Sequence, residues 1–271
     1  MNRFQRNEML FTPEGVRKLK DKKVTVFGVG GVGGYVCEML GRSGIGHFVL
    51  VDKDQVDVTN INRQIIALSS TVGKDKVEVM KERLIEINPE CEVTSVKAFL
   101  LPENKGDFDF EHNDFVVDAI DTVSAKIVIA EECTRLGVPL ISSMGTGNKL
   151  HPEMLKITDI SKTSYCPLAR VLRRELRNRG IHHLPVLYSE EEPVKPAFTP
   201  EDSHKGSSTP ASSPFVPSAA GILIASYVVA RLLEQYKYGK NTFLCLSRIF
   251  FLLSEKLSFR RVNKPLERRN L

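Results

Sequence analysis

The sequence predicts an α/β fold, a doubly wound, largely parallel sheet of the Rossmann-like kind, and three observations predict it. Short apolar runs alternate with segments of helical spacing between Lys23 and Ser143. The first run stops on Gly28-Val29-Gly30-Gly31-Val32-Gly33, a glycine turn that opens a helix. The second run ends on an acid, Asp52, 19 residues past Gly33, where such folds bind a ribose hydroxyl.

Taken in order, residues 23–27 read as a buried strand because they are apolar and end at glycine. Residues 34–43 carry Val36, Met39 and Leu40 at helical spacing, and residues 47–52 form a second strand. A helix runs from Lys76 through Met80, Leu84 and Ile87 and closes at Asn88-Pro89. Strands follow at 92–96 and 115–121, then a helix at 125–136 ended by Gly137, then a strand at 138–143. Beyond Gly147 the pattern loosens into a loop and a basic helix after Pro167. Residues 189–217 are rich in Pro, Ser and Glu without apolar periodicity, which predicts a long mobile loop. Residues 219–233 are apolar and helical, a core helix despite a length near that of a membrane span. One domain at 1–236 and a basic, partly hydrophobic tail at 237–271 are expected, with no stable membrane insertion.

Composition narrows the function classes. The chain has 271 residues, 42% hydrophobic and 26% charged, enough to bury a core without staples. Its five cysteines form no CxxC pair, which argues against a zinc ribbon or a disulfide framework. Unpaired thiols and a polar first stretch lead us to expect a cytoplasmic protein. The net charge of +5 is concentrated: residues 237–271 hold nine Lys or Arg against two Glu, so the body is close to neutral. Whole-chain charge is therefore poor evidence for nucleic-acid binding.

The glycine turn places a phosphate on a helix N-terminus. Gly28 allows the tight turn, Gly30 and its neighbour Gly31 the approach of phosphate to backbone, and Gly33 close packing of helix on strand. Glycines alone fit a dinucleotide as well as ATP. The segment leaving the second strand tips the balance to ATP, because Arg63 and Lys76, with Asn60 and Gln64 as amide donors, answer the charge of a triphosphate. Asp121, at the carboxyl edge of the fourth strand, offers hard oxygen for Mg²⁺. Asp118 and Asp121 also have the composition of helix caps.

Val51-Asp52-Lys53-Asp54, Asn60-Ile61-Asn62-Arg63-Gln64 and Thr71-Val72-Gly73-Lys74-Asp75-Lys76 together resemble the ubiquitin-activating-enzyme-like adenylating superfamily of the ThiF/MoeB type. Ile87-Asn88-Pro89-Glu90-Cys91, Val117-Asp118-Ala119-Ile120-Asp121 and Asp159-Ile160-Ser161-Lys162-Thr163 are similar to its branch of dehydratases acting on threonylcarbamoyladenosine in tRNA. The resemblance covers roughly residues 3–233. It implies that Asp52 binds the ATP ribose, that Asn60, Arg63 and Lys76 hold the phosphates, and that Asp121 positions Mg²⁺. It further implies a homodimer, with Arg6 near the position of an arginine that relatives donate across the interface, and a tRNA substrate. A sulfur-transfer partner protein is also compatible with it.

Carrier-protein activators of this superfamily typically carry paired CxxC motifs and often a cysteine nucleophile. Here Cys166 is the only thiol in the crossover region, and it reads as incidental. The dehydratase chemistry needs no such nucleophile, because the substrate closes a ring on itself. The basic helix carries Arg170, Arg173, Arg174 and Arg177 on one face and Leu168, Leu172 and Leu176 on another, a candidate RNA face. His182 and His183 have no evident partner in sequence. Adenylation of a sulfur-carrier C-terminus and a non-catalytic nucleotide-binding sulfur-relay scaffold stay open as alternatives.

Overall fold

The apolar runs of the first half become neighbouring parallel strands, and the order in which they lie creates the crevice that a nucleotide needs. The structure, a computed structural model, describes residues 2–198 and 210–234. The expected tail at 237–271 and the middle of the expected mobile loop, 199–209, lie outside the described residues.

The strands are β1 (Lys23–Phe27), β2 (His47–Val51), β3 (Glu92–Val96), β4 (Phe115–Asp118), β5 (Leu140–Ser143), β6 (Leu155–Asp159) and β7 (Pro185–Ser189). They form one seven-stranded sheet in the order β3-β2-β1-β4-β5-β7-β6. Every pairing is parallel except that of β6 with β7. The chain winds outward from β1 to β3 and then returns to place β4 on the other side of β1. Ligands of open α/β sheets bind beyond the carboxyl ends of the strands at such a switch point.

The helices are α1 (Gln5–Lys20), α2 (Gly33–Ser43), α3 (Lys76–Ile87), α4 (Val123–Leu136), α5 (Pro167–Asn178) and α6 (Phe215–Glu234). Strand alternation sends neighbouring side chains to opposite faces. Phe27 and Val116 join a core formed with Ala125, Val128 and Ile129 of α4 and Leu172 and Leu176 of α5. Phe115 faces the other way and meets Tyr227 of α6 edge-on, with ring centroids 6.3 Å apart. Phe27 stacks on Phe110 at 5.4 Å and tilts against Phe108 at 5.9 Å. Each such buried aromatic contributes roughly 1.5–3 kcal/mol relative to exposure.

Helix ends follow local chemistry. Gly44 closes α2 with φ 97°, and Ile45 N–H returns to Leu40 O at 3.2 Å, satisfying a terminal carbonyl. Pro167 begins α5, where a missing N–H costs nothing. Helix α6 has the length and apolarity of a membrane span, with mean hydropathy 1.7. It instead buries Val216, Ala220, Ile224, Val228 and Leu232 in the protein, as expected of a core helix.

Four elements depart from the sequence reading. Helix α1 was not anticipated, because Thr12 and Pro13 interrupt it: Thr12 stands at φ 64°, and its hydroxyl caps the second half by accepting Gly15 N–H. Strands β6 and β7 lie in stretches to which no strand was assigned; β7 takes its place between β5 and β6, and β6 is held by β7 alone. The fourth strand ends at Asp118 rather than Asp121, so Asp121 sits on the turn that follows it.

Candidate functional site

A cleft of about 350 Å³ opens at the switch point, within the range of small-molecule sites. It is lined by the glycine turn (Gly28, Gly30, Gly31), by Asp52, by Asn60, Arg63, Gln64 and Lys76, and by Asp121. The sequence had separated these residues into three stretches, and the fold gathers them around one cavity.

The glycine turn fits its neighbours closely. A Cβ on Gly33 would stand 1.8 Å from the carbonyl oxygen of Gly28, and one on Gly28, at φ 88°, 2.7 Å from that of Ala119. The turn is thus clamped between the start of α2 and the end of β4, with the N–H groups of Gly30 and Gly31 left for an anion. Asp52 braces it, accepting from Val29 N–H at 2.7 Å through one oxygen and from Asp54 N–H at 2.9 Å through the other. The acid expected to touch a ribose therefore also fixes the loop that would touch the phosphates.

The segment after β2 is organised by Asn60. A 3-10 turn over Val58–Asn60 is capped by Asp57, and Asn60 Oδ1 accepts Asp57 N–H at 3.2 Å. The Asn60 carbonyl then accepts the N–H groups of Arg63 and Gln64, which directs this segment into the cleft. The Arg63 guanidinium donates to Thr59 O at 3.0 Å and to Asn62 Oδ1 at 2.9 Å. Lys76 is 6% exposed, and its ammonium lies 3.0 Å from Asp54 Oδ2. Gln64 is also 6% exposed, and its Oε1 is buried with no hydrogen-bond partner. An amide can present its oxygen or its NH₂ group, so a polar ligand atom here would remove the deficit.

Asp121 is exposed beside this cluster and accepts from Thr122 Oγ1 at 3.3 Å. A lone carboxylate beside a phosphate cradle suits Mg²⁺, which takes one or two carboxylates and completes its shell with phosphate oxygens and water. No group of three or more His, Cys, Asp or Glu among the described residues would hold a metal on protein ligands alone. Neither Asp118 nor Asp121 caps α4, whose N-cap is Thr122. Asp118 is instead buried against Lys126 and also accepts Ile120 N–H at 3.2 Å, which shapes the turn leading to Asp121.

The arginine helix α5 presents three of its four arginines to solvent. Arg170, Arg174 and Arg177 are exposed, but Arg173 folds inward. Its guanidinium donates to Thr163 Oγ1 at 2.6 Å and to Thr163 O at 3.0 Å. The expected face of four is a face of three, and the Asp159–Thr163 stretch is the anchor that takes the fourth. His183 is not without a partner, since its Nδ1 is 3.3 Å from Asp159 Oδ2.

Cys37, Cys91, Cys133 and Cys166 are all buried free thiols. Burial pushes the thiols of Cys37 and Cys91 up and that of Cys133 up to about 12, away from the thiolate a nucleophile needs. Arg6 is exposed in the first turn of α1 and is not among the residues lining the cleft of its own chain. Sequence reasoning missed Thr146 and Ser212, which also line the cleft. They come from the loop after β5 and from the stretch before α6, and neither carries a motif.

The comparisons with known proteins agree with this geometry. The ThiF family profile matches residues 4–268. The chain is 45% identical over 244 residues to the tRNA threonylcarbamoyladenosine dehydratase of Bacillus subtilis (strain 168), covering 86% of this chain and 96% of the relative. The crystal structure of the Escherichia coli tRNA N6-threonylcarbamoyladenosine dehydratase in complex with ATP superposes with a TM-score of 0.78 at 34% identity, covering 86% of this chain and 94% of that one. The same enzyme in complex with AMP superposes equally well, with a TM-score of 0.78.

Proposed function

Since the chain belongs to the ThiF family, we propose that it catalyses the ATP-dependent dehydration of N6-threonylcarbamoyladenosine in tRNA. The observation that carries this reading is the convergence of the glycine turn with Arg63, Gln64 and Lys76 on one cleft, in a chain 45% identical to a dehydratase of that name along most of both lengths.

The chemistry follows from the charges. A threonyl carboxylate is a poor acylating group, because its leaving group would be oxide. Attack of that carboxylate on the α-phosphorus of ATP forms an acyl-adenylate and releases pyrophosphate. The carbamoyl group then attacks the activated carbonyl within the same molecule, and AMP leaves with one carboxylate oxygen. The ring closes and the nucleoside loses the elements of water. Proximity supplies most of the second step, so no enzyme nucleophile is needed. The four cysteines among the described residues, all buried, accord with that.

The protein's part is electrostatic. Asp52 and the backbone of the glycine turn orient ribose and phosphates. Arg63, Lys76 and the amides of Asn60 and Gln64 receive charge developing on the departing pyrophosphate. Asp121 would hold Mg²⁺, which when bound neutralises phosphate charge. The exposed Arg170, Arg174 and Arg177 would meet tRNA phosphates. We extend the proposal to a homodimer, since a role for Arg6 at the cleft requires a second copy, and to a cytoplasmic setting.

The test incubates the purified chain with ATP, Mg²⁺ and tRNA bearing threonylcarbamoyladenosine, then digests the RNA for nucleoside mass spectrometry. The expected product is a nucleoside lighter by one water, with pyrophosphate and AMP released. Pyrophosphate release only with a Gly-Gly-ended carrier protein would assign the chain to carrier activation. Nucleotide binding without release on either substrate would leave a scaffold.

A further inference from the structure

We infer that Asn148 is a positioning residue for this reaction: it clamps the stretch that builds the acceptor side of the cleft. The inference rests on the dehydratase reading above. Asn148 uses three polar groups on two distant segments. Its N–H donates to Ala211 O at 2.7 Å, its Oδ1 accepts Ala211 N–H at 2.8 Å, and its carbonyl accepts Val194 N–H at 2.8 Å. It does so at φ 57°, a conformation that Asn tolerates better than most residues. The neighbouring Gly147 makes room for the same stretch, since a Cβ there would stand 2.7 Å from Pro210 Cβ. From this clamp the chain runs to Ser212, whose carbonyl accepts from Asn62 Nδ2 at 3.0 Å, and on to Pro217, which packs beside Gly31.

The order of strands tells which end of the cleft this stretch serves. Along the sheet edge Asp52 follows β2, the glycine turn follows β1, Asp121 lies on the turn after β4, and Thr146 follows β5. Adjacent strands are about 4.8 Å apart. A nucleotide with its ribose on Asp52 and its phosphates on the glycine turn fills the β2–β1 end. The open β4–β5 end, walled by Thr146 and Ser212, is left for the carboxylate that attacks the α-phosphorus. Two hydroxyl-bearing residues there suit a polar, hydroxylated acyl group better than an apolar one.

Asn148→Gly keeps the left-handed backbone and removes only the side-chain acceptor, while Asn148→Asp restores an acceptor. For Asn148→Gly we expect ATP affinity by calorimetry to stay at the wild-type value, amide exchange at residues 211–213 to accelerate, and KM for the modified tRNA to rise up to about tenfold, the worth of one hydrogen bond. Asn148→Asp should recover both changes. An equal loss of ATP affinity, or wild-type exchange together with wild-type KM for tRNA, would overturn the inference. If the wild-type chain leaves the modified tRNA unchanged, the functional reading fails, and the exchange measurement decides the clamp by itself.

Discussion

The ammonium of Lys126 lies 3.0 Å from each carboxylate oxygen of Asp118, and the two side chains are 0% and 1% exposed. Lys126 also donates to Ser143 O at 2.7 Å, so the pair joins the ends of β4 and β5 beneath the cleft. Removing one partner leaves an uncompensated buried charge. Lys126→Met should cost about 3–5 kcal/mol, a fall in Tm on the order of 10 °C for a domain of this size. Adding Asp118→Asn should recover part of the loss. Thermal denaturation of the single and double variants measures both, and equal Tm values for wild type and Lys126→Met would refute the account.

Arg63 and Lys76 are expected to act on charge rather than on folding. Asp54, the partner of Lys76, is half exposed, so losing the ammonium leaves no stranded buried acid. Arg63→Ala or Lys76→Ala should lower the rate of pyrophosphate release by roughly 10²–10³, with Tm nearly unchanged. A large drop in Tm with residual rate intact would place these residues in the fold instead.

The glycine turn separates two glycines that look alike in sequence. Gly28→Ala combines a left-handed φ with a Cβ pressed on the Ala119 carbonyl. It should abolish ATP binding and lower stability. Gly31→Ala meets Pro217 Cβ at 3.2 Å and the Arg63 side chain at 3.5 Å, contacts that small shifts relieve. It should keep the fold and weaken ATP only moderately. Calorimetric titration with ATP on both variants gives the comparison.

Acid should loosen the packing of α2 on α3. Burial raises the Glu38 carboxyl, but hydrogen bonds from Arg83 and Arg42 outweigh it and hold the group below its ordinary value near 4.5. A depressed acid stabilises the fold above its unfolded-state value and loses that contribution as pH falls through the folded one. Stability should therefore decline below about pH 4.5. In Glu38→Gln that decline should be shallower, with a lower starting Tm, because Arg83 loses its buried partner. Parallel slopes in the two proteins would exclude Glu38 as the source.

The arginine helix offers a test by salt. Arg170→Ala with Arg177→Ala should weaken tRNA binding and reduce the slope of log K against log salt by about one for each phosphate no longer neutralised. Arg173→Ala should lower Tm instead, through loss of the Thr163 anchor, and leave the slope alone. Binding titrations at several salt concentrations distinguish these outcomes.

Much of this was legible because the chemistry was local. β1, β2 and β4 are short, mostly apolar and largely buried runs, and they read as strands without help. Arg63, Gln64 and Lys76 stood out because cations and amides follow the acid-ended strand at short range. Other features depended on partners far away in sequence. β6 and β7 are five-residue strands that exist by pairing, and α1 hides its continuity behind Thr12-Pro13. The inward turn of Arg173 could not be told from spacing, because Arg170 and Arg174 have the same composition. Thr146, Asn148 and Ser212 are ordinary residues that acquire meaning only where three distant segments meet.

Gly221 of α6 lies so close to α2 that a Cβ there would stand 2.5 Å from Val32 O and 2.6 Å from Tyr35 Cβ. The helix that backs the phosphate turn is thus made last among the described elements, about 190 residues after the turn itself. At ribosomal speeds of about 5–20 residues per second, that is a delay on the order of ten seconds or more. During synthesis the phosphate turn emerges early and waits for its support. A nascent chain stopped short of α6 carries every glycine and cation of the cleft yet lacks the wall that holds them, so the order of translation itself sets when the site can first close around a nucleotide.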